Sequence, residues 1–123
     1  MPRAPILLAP DDFDAVAPPV ARGLEAGGWR VDACPPEDVD DVRLRAARAL
    51  VVGEPRLDDR TLIRSVAGEL ATRARQAGVP CHAVTRHNGL DLFAARILDL
   101  QAIVEGTTPA ELEAAGRELA RLI

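Results

Sequence analysis

Residues 6–15 read ILLAPDDFDA, so an unbroken apolar run passes into a proline and then into three carboxylates around Phe13. Short apolar runs bounded by turn residues are typical of strands that are buried on both faces of a parallel sheet. Comparable runs recur at residues 49–52, 81–84 and 102–104. The pattern predicts four buried strands, spanning residues 5–9 and these three runs, and the first of them ends on the acids Asp11, Asp12 and Asp14.

A fifth strand has a different pattern. Residues 29–33, WRVDA, alternate apolar and polar side chains, as an edge strand with one wetter face does. Because this segment follows the first buried strand, it predicts that strand 2 closes one side of the sheet.

Segments with helical spacing separate the strands. The first helix is expected to begin at Pro18-Pro19 and to end at Gly27-Gly28, and Pro35-Pro36 is expected to open a short second helix. Two amphipathic helices follow, and the last helix has a complete start signal. The apolar positions of the two amphipathic helices are 62, 66, 70 and 74 in one and 90, 93, 94 and 97 in the other, and the start signal of the last helix is Thr108, Pro109 and Glu111.

Strict alternation of five strands and five helices predicts a three-layer α/β sandwich with right-handed crossovers. With strand 2 at an edge, the expected sheet order is the flavodoxin-like 2-1-3-4-5, in one domain spanning residues 1–123. Ligands of such sheets bind beyond the carboxyl ends of the strands, where the strand order reverses. That point lies between strands 1 and 3.

Composition excludes several classes of function. All fifteen basic residues are arginine, and at a net charge of −4 they are interspersed with acids, so no basic stripe for nucleic acid is present. No apolar run approaches the roughly 20 residues of a membrane span, and we expect a cytoplasmic protein without a membrane partner. Cys34 and Cys81 are isolated, so both are expected to be structural thiols; a metal site at Cys81 and His82 is the remote alternative.

Three loops are expected to meet at the switch point: residues 10–14, 53–61 and 85–89. The first two hold six carboxylates and two arginines, a set that suits Mg²⁺ and a phosphate or carboxylate anion. Asp11, Glu54 and Asp58 are the proposed Mg²⁺ ligands. The full set of candidate ligand-binding residues is Asp11, Asp12, Phe13, Gly53, Glu54, Arg56, Asp58, Arg60, Thr61 and His87.

Structural roles remain open for the same side chains. Asp58 or Asp59 can cap a helix that begins at Thr61, and exposed arginines more often form solvated ion pairs than ligand clamps. No phosphate-binding glycine loop is present. Ser65, the one serine, is expected inside a helix and therefore not to be a nucleophile.

The segments ILLAPDDFD and ALVVGEPRLDDRTL resemble two signatures of the bacterial two-domain glycerate kinases, A-P-D-S-F-K and G-E-G-R-x-D-x-Q-T. The segment ARQAGVPCHAVT is similar to the helix and strand that follow in that family. The resemblance covers residues 4–123 and implies the family's flavodoxin-like domain without its inserted domain, which carries a D-G-G-E-G-T motif. It also implies ATP and Mg²⁺ as ligands, with Asp11 and Asp58 as catalytic candidates if the chain is active.

This chain departs from the family pattern where the chemistry needs cations. Asp14 stands in place of one lysine, Arg64-Ser65 in place of a Gly-Lys pair, and Pro55 in place of a glycine. Phosphoryl transfer depends on cations placed against the developing charge. We therefore expect a glycerate-kinase-related domain without kinase activity by itself, which binds Mg²⁺ or a small anion weakly or acts through protein contacts.

Two alternatives stay open. The chain could be a glycerate kinase that becomes active as a homodimer or when a separate partner chain completes it. It could instead be a pseudo-receiver signalling domain, since Asp11, Asp12 and Thr85 sit where receiver domains place their acids and hydroxyl. In that case Glu54 replaces the phosphorylatable aspartate, and Glu105 follows strand 5 without a lysine.

Overall fold

Five parallel strands form the centre of the molecule in the order β2-β1-β3-β4-β5. The structure is a computed structural model and describes residues 3–59 and 65–123. This order confirms the predicted flavodoxin-like sheet, with β2 at one edge. The strands are β1 (Ile6–Pro10), β2 (Val31–Ala33), β3 (Ala49–Leu57), β4 (Cys81–Asn88) and β5 (Leu100–Glu105).

Helices cover both faces of the sheet. The helices that lie wholly within the described residues are α1 (Phe13–Ala26), α2 (Asp41–Ala46), α3 (Val66–Ala77), α4 (Leu92–Ile97) and α5 (Pro109–Leu122), and a 3₁₀ turn lies at Pro36–Asp38. Side chains of β1 and β3 point alternately to the two faces, as strand geometry requires. Leu7 and Leu50 pack with α2 and α3, whereas Ile6 and Val51 pack with α1 and α5. In the described part of the chain, no helix has the length and apolarity to cross a membrane.

Helices α1 and α5 pack at unusually close range. A Cβ atom added at Gly23 would lie 2.8 Å from the Cα atom of Gly116 and 2.7 Å from the backbone nitrogen of Arg117. The indole Nε1 of Trp29 also donates to the carbonyl oxygen of Ala120 at 3.1 Å, which ties the chain after α1 to the end of α5. These contacts hold the two helices as one layer.

The first helix begins five residues before the predicted start at Pro18-Pro19. Asp12 adopts a left-handed conformation with φ of 50°, and its carbonyl accepts the N–H groups of Ala15 and Val16, so α1 begins directly after the acidic turn. The two prolines lie inside the helix and remove two backbone donors. Packing outweighs this loss, because Ala17 and Pro19 are buried against the core.

The second helix also starts elsewhere than predicted. Pro35-Pro36 leads only into the 3₁₀ turn, and Val39 then returns to an extended conformation. Helix α2 begins at Asp41 because the Asp40 carboxylate accepts the backbone N–H of Arg43 at 2.8 Å, a standard N-terminal cap.

Strands β3 and β4 are longer than predicted, so Gly53 to Leu57 and Thr85 to Asn88 are strand residues and not loops. Beyond Gly53, β3 no longer has β1 as a neighbour and pairs with β4 alone. A strand with one free side tolerates proline, because only the other side must be paired throughout. Pro55 therefore does not end β3.

Ser65 is not inside a helix, contrary to the prediction. Its hydroxyl oxygen accepts the backbone N–H of Gly68 at 3.0 Å and so caps α3. Leu62, which was assigned to the same helix, lies outside the described residues.

Helix α4 lies beside the edge strand, but its apolar stripe does not enter the core as its spacing predicted. Phe93 and Ile97 are exposed, and only Leu90, before the helix, packs on the core. The stripe has little sheet to cover because β5 is the last strand. By contrast, the predicted capping box at Thr108 and Glu111 is confirmed.

Candidate functional site

A small crevice opens where β1, β3 and β4 reach the carboxyl edge of the sheet. The backbone N–H of Asp11 donates to the carbonyl oxygen of Gly53 at 2.9 Å, so the acidic turn after β1 is fixed against β3. The cavity has a volume of about 120 Å³. Its lining, called the acidic crevice below, consists of Asp11, Asp12, Ala15, Val16, Gly53, Glu54, Pro55, Val84, Thr85, Arg86, Gly106, Thr107, Pro109 and Leu112.

The crevice depends on close approach of β1 and β3. Pro10 and Gly53 are opposite each other in the sheet, and a Cβ atom at residue 53 would lie 2.7 Å from the Cβ atom of Pro10. Only glycine avoids this overlap, which explains why the residue before Glu54 has no side chain. The two acidic segments are thereby brought to the same wall.

The carboxyl group of Glu54, in the crevice, has a raised pKa. Burial raises the pKa of its carboxyl group, the backbone N–H of Ala67 lowers it, and the charge of Asp11 raises it further. The Ala67 N–H donates to Oε1 at 3.2 Å, which anchors the carboxyl group to the start of α3. The arrangement concentrates negative charge in a half-buried place, where a proton or a cation is favoured over a second anion.

The hydroxyl of Thr85, on β4, is committed to its own strand. It donates to the carbonyl oxygen of His87 at 3.1 Å and accepts the His87 N–H at 3.3 Å. Thr85 is almost fully buried and pairs with Glu54 on one side and with Glu105 on the other. Its role in the wall is therefore to fix the geometry of the β4 end.

The predicted site residues fall into two groups. Asp11, Asp12, Gly53 and Glu54 line the crevice. Arg56, Asp58 and His87 are not part of its lining, and Arg56 instead forms an ion pair with Asp58, with Nε to Oδ2 at 3.2 Å. The reason is the extended strand: two residues of β3 cover roughly 6.6 Å, so Arg56 lies well beyond Glu54.

Three other predicted residues do not contribute to the crevice as described. Phe13 is the first residue of α1 and packs against the core beneath that helix. Arg60 and Thr61, like the helix that Asp59 was expected to cap, fall outside the described residues.

Of the three predicted Mg²⁺ ligands, Asp11, Glu54 and Asp58, the structure brings the first two together. In residues 3–59 and 65–123, no three carboxylates, thiols or imidazoles converge as a metal site would require. Asp11 and Glu54 share the crevice, while Asp58 pairs with Arg56 outside it. Any ion held here would have two protein carboxylates and would complete its shell with water, which is a common arrangement for Mg²⁺.

The two cysteines are buried free thiols, as predicted. Burial raises the pKa of Cys81 to about 12, and burial also raises the pKa of Cys34 against the opposing effect of Arg43. A thiol that stays protonated is a poor nucleophile and a poor metal ligand. Both side chains serve the core.

Sequence reasoning missed part of the wall. Among the residues that the structure describes, Arg86 is the cation in the lining of the crevice, and Gly106 and Thr107 close the side next to β5. The helix start signal at Thr108 and Pro109 was visible in the sequence. The pairing of Thr85 with Glu105 was not, and it is this pairing that places the β5–α5 turn beside the acids.

Comparison with solved structures supports the fold. An archaeal flavodoxin superimposes with a TM-score of 0.60 at 14% identity, covering 95% of this chain and 96% of that one. A putative pilus assembly-related protein from Burkholderia pseudomallei gives 0.59 at 22%, covering 97% and 90%. A flavodoxin-like domain from a Synechococcus species gives 0.57 at 19%, covering 95% and 96%. No protein-family profile and no curated protein matches the sequence. The chain therefore has a flavodoxin-like fold.

The crevice does not fit the flavin mononucleotide that flavodoxins hold at this switch point. The turn before α1 would have to receive the phosphate, but it carries Asp11 and Asp12, and Asp14 follows in the first turn of the helix. About 120 Å³ is also well below the roughly 300–1,000 Å³ of ordinary ligand pockets. Charge and volume therefore both disagree with a flavin site.

Proposed function

We propose that the chain is a relative of the flavodoxin-like domain of glycerate kinases that does not phosphorylate glycerate by itself. Its acidic crevice holds a hydrated Mg²⁺ ion weakly, and the domain acts by binding, not by group transfer. The observation that carries the proposal is the pairing of Asp11 with the half-buried Glu54 in a cavity of about 120 Å³.

The positions that the resemblance assigns to lysines support the absence of phosphoryl transfer. Asp14 is an exposed carboxylate in the first turn of α1, close to the place where a triphosphate would have to lie. Ser65 is committed to capping α3. Neither residue supplies the positive charge that stabilises a transferring phosphoryl group.

The charge of the crevice supports a cation as its ligand. Glu54 Oε1 is held by Ala67, which leaves Oε2 for an ion shared with Asp11. Mg²⁺ is commonly bound by one or two carboxylates with water in the remaining positions. Binding would displace the proton that Glu54 holds at low pH, so affinity should rise as the pH increases through the raised pKa of that residue.

A direct assay for glycerate phosphorylation tests the loss of kinase activity. Purified chain is incubated with Mg-ATP and D-glycerate, and ADP formation and phosphoglycerate are measured, with Asp11→Ala as the matched control. We expect both proteins to give the same background rate. Glycerate-dependent ADP formation that disappears in Asp11→Ala would refute the proposal.

The same assay addresses the version in which a second chain completes the enzyme. Adding a separately expressed protein that carries the D-G-G-E-G-T domain, if a neighbouring reading frame encodes one, should leave the rate unchanged under the proposal. A rate that appears only in the mixture would establish a split enzyme instead.

A pseudo-receiver domain is the second candidate, and one observation favours it. Glu54 and Thr85 are paired in register, so an acid and a hydroxyl lie side by side next to Asp11, an arrangement similar to the one expected of receivers. The likeness to the pilus assembly-related protein supports only the shared fold. Incubation with a small acyl phosphate followed by intact-protein mass measurement tests this candidate: a phosphoryl adduct on Glu54 would favour it, and an unmodified mass would remove its support.

A further inference from the structure

A second cavity lies at the amino end of the sheet, where β3 and β4 begin, and the proposed function does not use it. It has a volume of about 160 Å³. The lining of this amino-end cavity includes Arg48, Pro80, His82, Gln101, Leu122 and Ile123. None of these residues lines the acidic crevice, so the two cavities are separate sites.

The imidazole of His82 is the buried polar side chain of the amino-end cavity. His82 lies on β4 and is 4% exposed, and it shares with Val84 the face of the sheet that α1 and α5 cover. Its Nδ1 atom is buried and has no hydrogen-bond partner among the described residues. A buried N–H group without an acceptor is costly, so we assign the proton of the neutral ring to Nε2. The ring therefore offers one N–H donor to an occupant of the cavity.

Arg48 adds a positive charge to the same lining. Its backbone N–H donates to the carbonyl oxygen of Pro5 at 2.8 Å, which fixes the residue before β3. In residues 3–59 and 65–123 the guanidinium forms no ion pair with a carboxylate side chain, and Nη2 donates to the main-chain oxygen of Ile123 only at 3.4 Å. Because a guanidinium has five N–H donors, Arg48 keeps donors for a ligand.

The remaining groups around His82 favour a negative ligand. The amide of Gln101 donates to Oδ1 of Asp99 at 3.0 Å, and Asp99 itself does not line the cavity. No acidic side chain is present in the lining. Burial lowers the pKa of His82, and the charge of Arg48 lowers it further, so Arg48 is the charged side chain that acts on the imidazole.

We propose that the amino-end cavity binds a small inorganic oxyanion, such as sulfate or phosphate, between the guanidinium of Arg48 and the Nε2–H group of His82. Charge-assisted hydrogen bonds from a guanidinium to an oxyanion are strong and directional. The volume of about 160 Å³ is well below the roughly 300–1,000 Å³ of ordinary ligand pockets. It therefore favours a free inorganic ion over the same group on a larger molecule.

Anion binding is coupled to protonation of His82. A negative charge beside Arg48 offsets the repulsion that lowers the pKa of His82, so a bound oxyanion raises that pKa. Because such coupling is reciprocal, protonation of His82 must tighten the binding of the anion. Sulfate stays fully ionised over the range in which imidazoles titrate, so it is the probe that adds no pH dependence of its own.

Proton NMR titration of the two histidines tests the proposal in the full chain. The chain contains only His82 and His87, and His87 is exposed near the opposite end of β4, so it serves as an internal control. The titration is recorded in sodium sulfate and in sodium chloride at equal ionic strength. We expect sulfate to raise the pKa of His82 and to leave that of His87 unchanged. The same pKa of His82 in both salts, or an equal change at both histidines, would overturn the proposal.

Arg48→Gln tests the cation of the cavity. Sulfate affinity is measured at constant pH from the chemical shift of the His82 ring, and it should fall roughly 10-fold or more because a charge-assisted hydrogen bond is lost. Arg45→Gln is the matched control, because Arg45 is an exposed arginine of α2 outside the cavity. Equal sulfate affinity of Arg48→Gln and the wild type would contradict a site at Arg48.

The carboxylate at the end of the 123-residue chain provides a second test. It belongs to Ile123, whose oxygen faces Nη2 of Arg48, so it competes with the oxyanion for the guanidinium. A short glycine extension after Ile123 moves this charge away and leaves every side chain of the cavity in place. The extended chain should bind sulfate more tightly than the wild type. An affinity that does not rise would show that the anion binds elsewhere than at Arg48.

Discussion

Replacement of Gly23 by alanine tests the close packing of α1 on α5. In an isolated helix this change is favourable by about 1 kcal/mol, because alanine is the better helix former. Here the new Cβ atom would lie 2.7 Å from the backbone nitrogen of Arg117 and 2.8 Å from the Cα atom of Gly116. Carbon atoms in good contact are about 3.5–4.0 Å apart, so the two helices would have to separate by roughly 1 Å.

The cost should exceed the gain in helix propensity. Overpacking typically costs about 1–3 kcal/mol, and the upper end applies here because the opposing atoms are backbone and cannot rotate away. Subtracting the propensity gain leaves a destabilisation of about 2 kcal/mol, or roughly 6–10 °C in Tm for a domain of this size. The assay is urea unfolding followed by circular dichroism and by Trp29 fluorescence.

The exposed residue Glu25, on the same helix, provides the control. Glu25→Ala should change the free energy of unfolding by no more than about 0.5 kcal/mol. A Gly23→Ala protein that is as stable as the wild type, or more stable, would refute the packing argument and show that the helices adjust without cost.

Two further predictions concern single side chains. Ser65→Ala removes the hydroxyl that caps α3 and should lower the free energy of unfolding, measured in urea, by about 1 kcal/mol. Ser65→Asp keeps a capping oxygen and should retain most of the stability. A Ser65→Ala protein as stable as the wild type would mean that the cap contributes nothing. Glu54→Gln tests the raised pKa of the crevice: the folded state binds the Glu54 proton more tightly than the unfolded state, so the stability due to that proton is lost as the pH rises through the folded pKa. In the presence of a chelator, the Tm of Glu54→Gln should therefore exceed that of the wild type at pH 7, and the difference should disappear below the ordinary carboxyl pKa of 4.5. A Tm difference that does not depend on pH would contradict the raised pKa of Glu54.

The sheet order was predictable because it follows from patterns that burial imposes. Strands β1 and β3 are covered on both faces and are therefore apolar throughout their cores, whereas no residue of the edge strand β2 is fully buried. The same reasoning found the capping box of α5, since that signal is local and complete in Thr108 to Glu111.

Element boundaries were less predictable wherever tertiary contacts decided them. Pro18 and Pro19 indicated a helix start, but packing of Ala17 and Pro19 keeps the helix intact around them. The third strand was predicted to end at Val52, yet β3 continues through Pro55 because it retains β4 as a partner. A proline constrains only its own part of the backbone. Whether a helix or a strand continues through it depends on packing against neighbouring elements, which the sequence alone does not show.

Part of the candidate site was predictable from the strand order. Asp11 follows Pro10 of β1 and Glu54 follows Gly53 of β3, and because Pro10 and Gly53 are paired, the proximity of the two acids follows from the topology of the sheet. The separation of Arg56 and His87 from them depends on the length of the β3–β4 extension, which the sequence pattern understated. Exposure of the apolar stripe of α4 could not be predicted either, because helical spacing indicates an apolar face but not what covers it.

The measurement that tests the central claim most directly is a thermal-shift titration of the chain with Mg²⁺, Mg-ADP, Mg-ATP and D-glycerate, singly and together. A ligand that binds only the folded protein raises its stability by mass action, so even a weak site registers at high concentration. The account predicts a saturable Mg²⁺ shift that is lost in Asp11→Asn and Glu54→Gln, with no added shift from nucleotide or glycerate. A saturable nucleotide shift beyond that of Mg²⁺ alone, or no Mg²⁺ shift at any concentration, would contradict it.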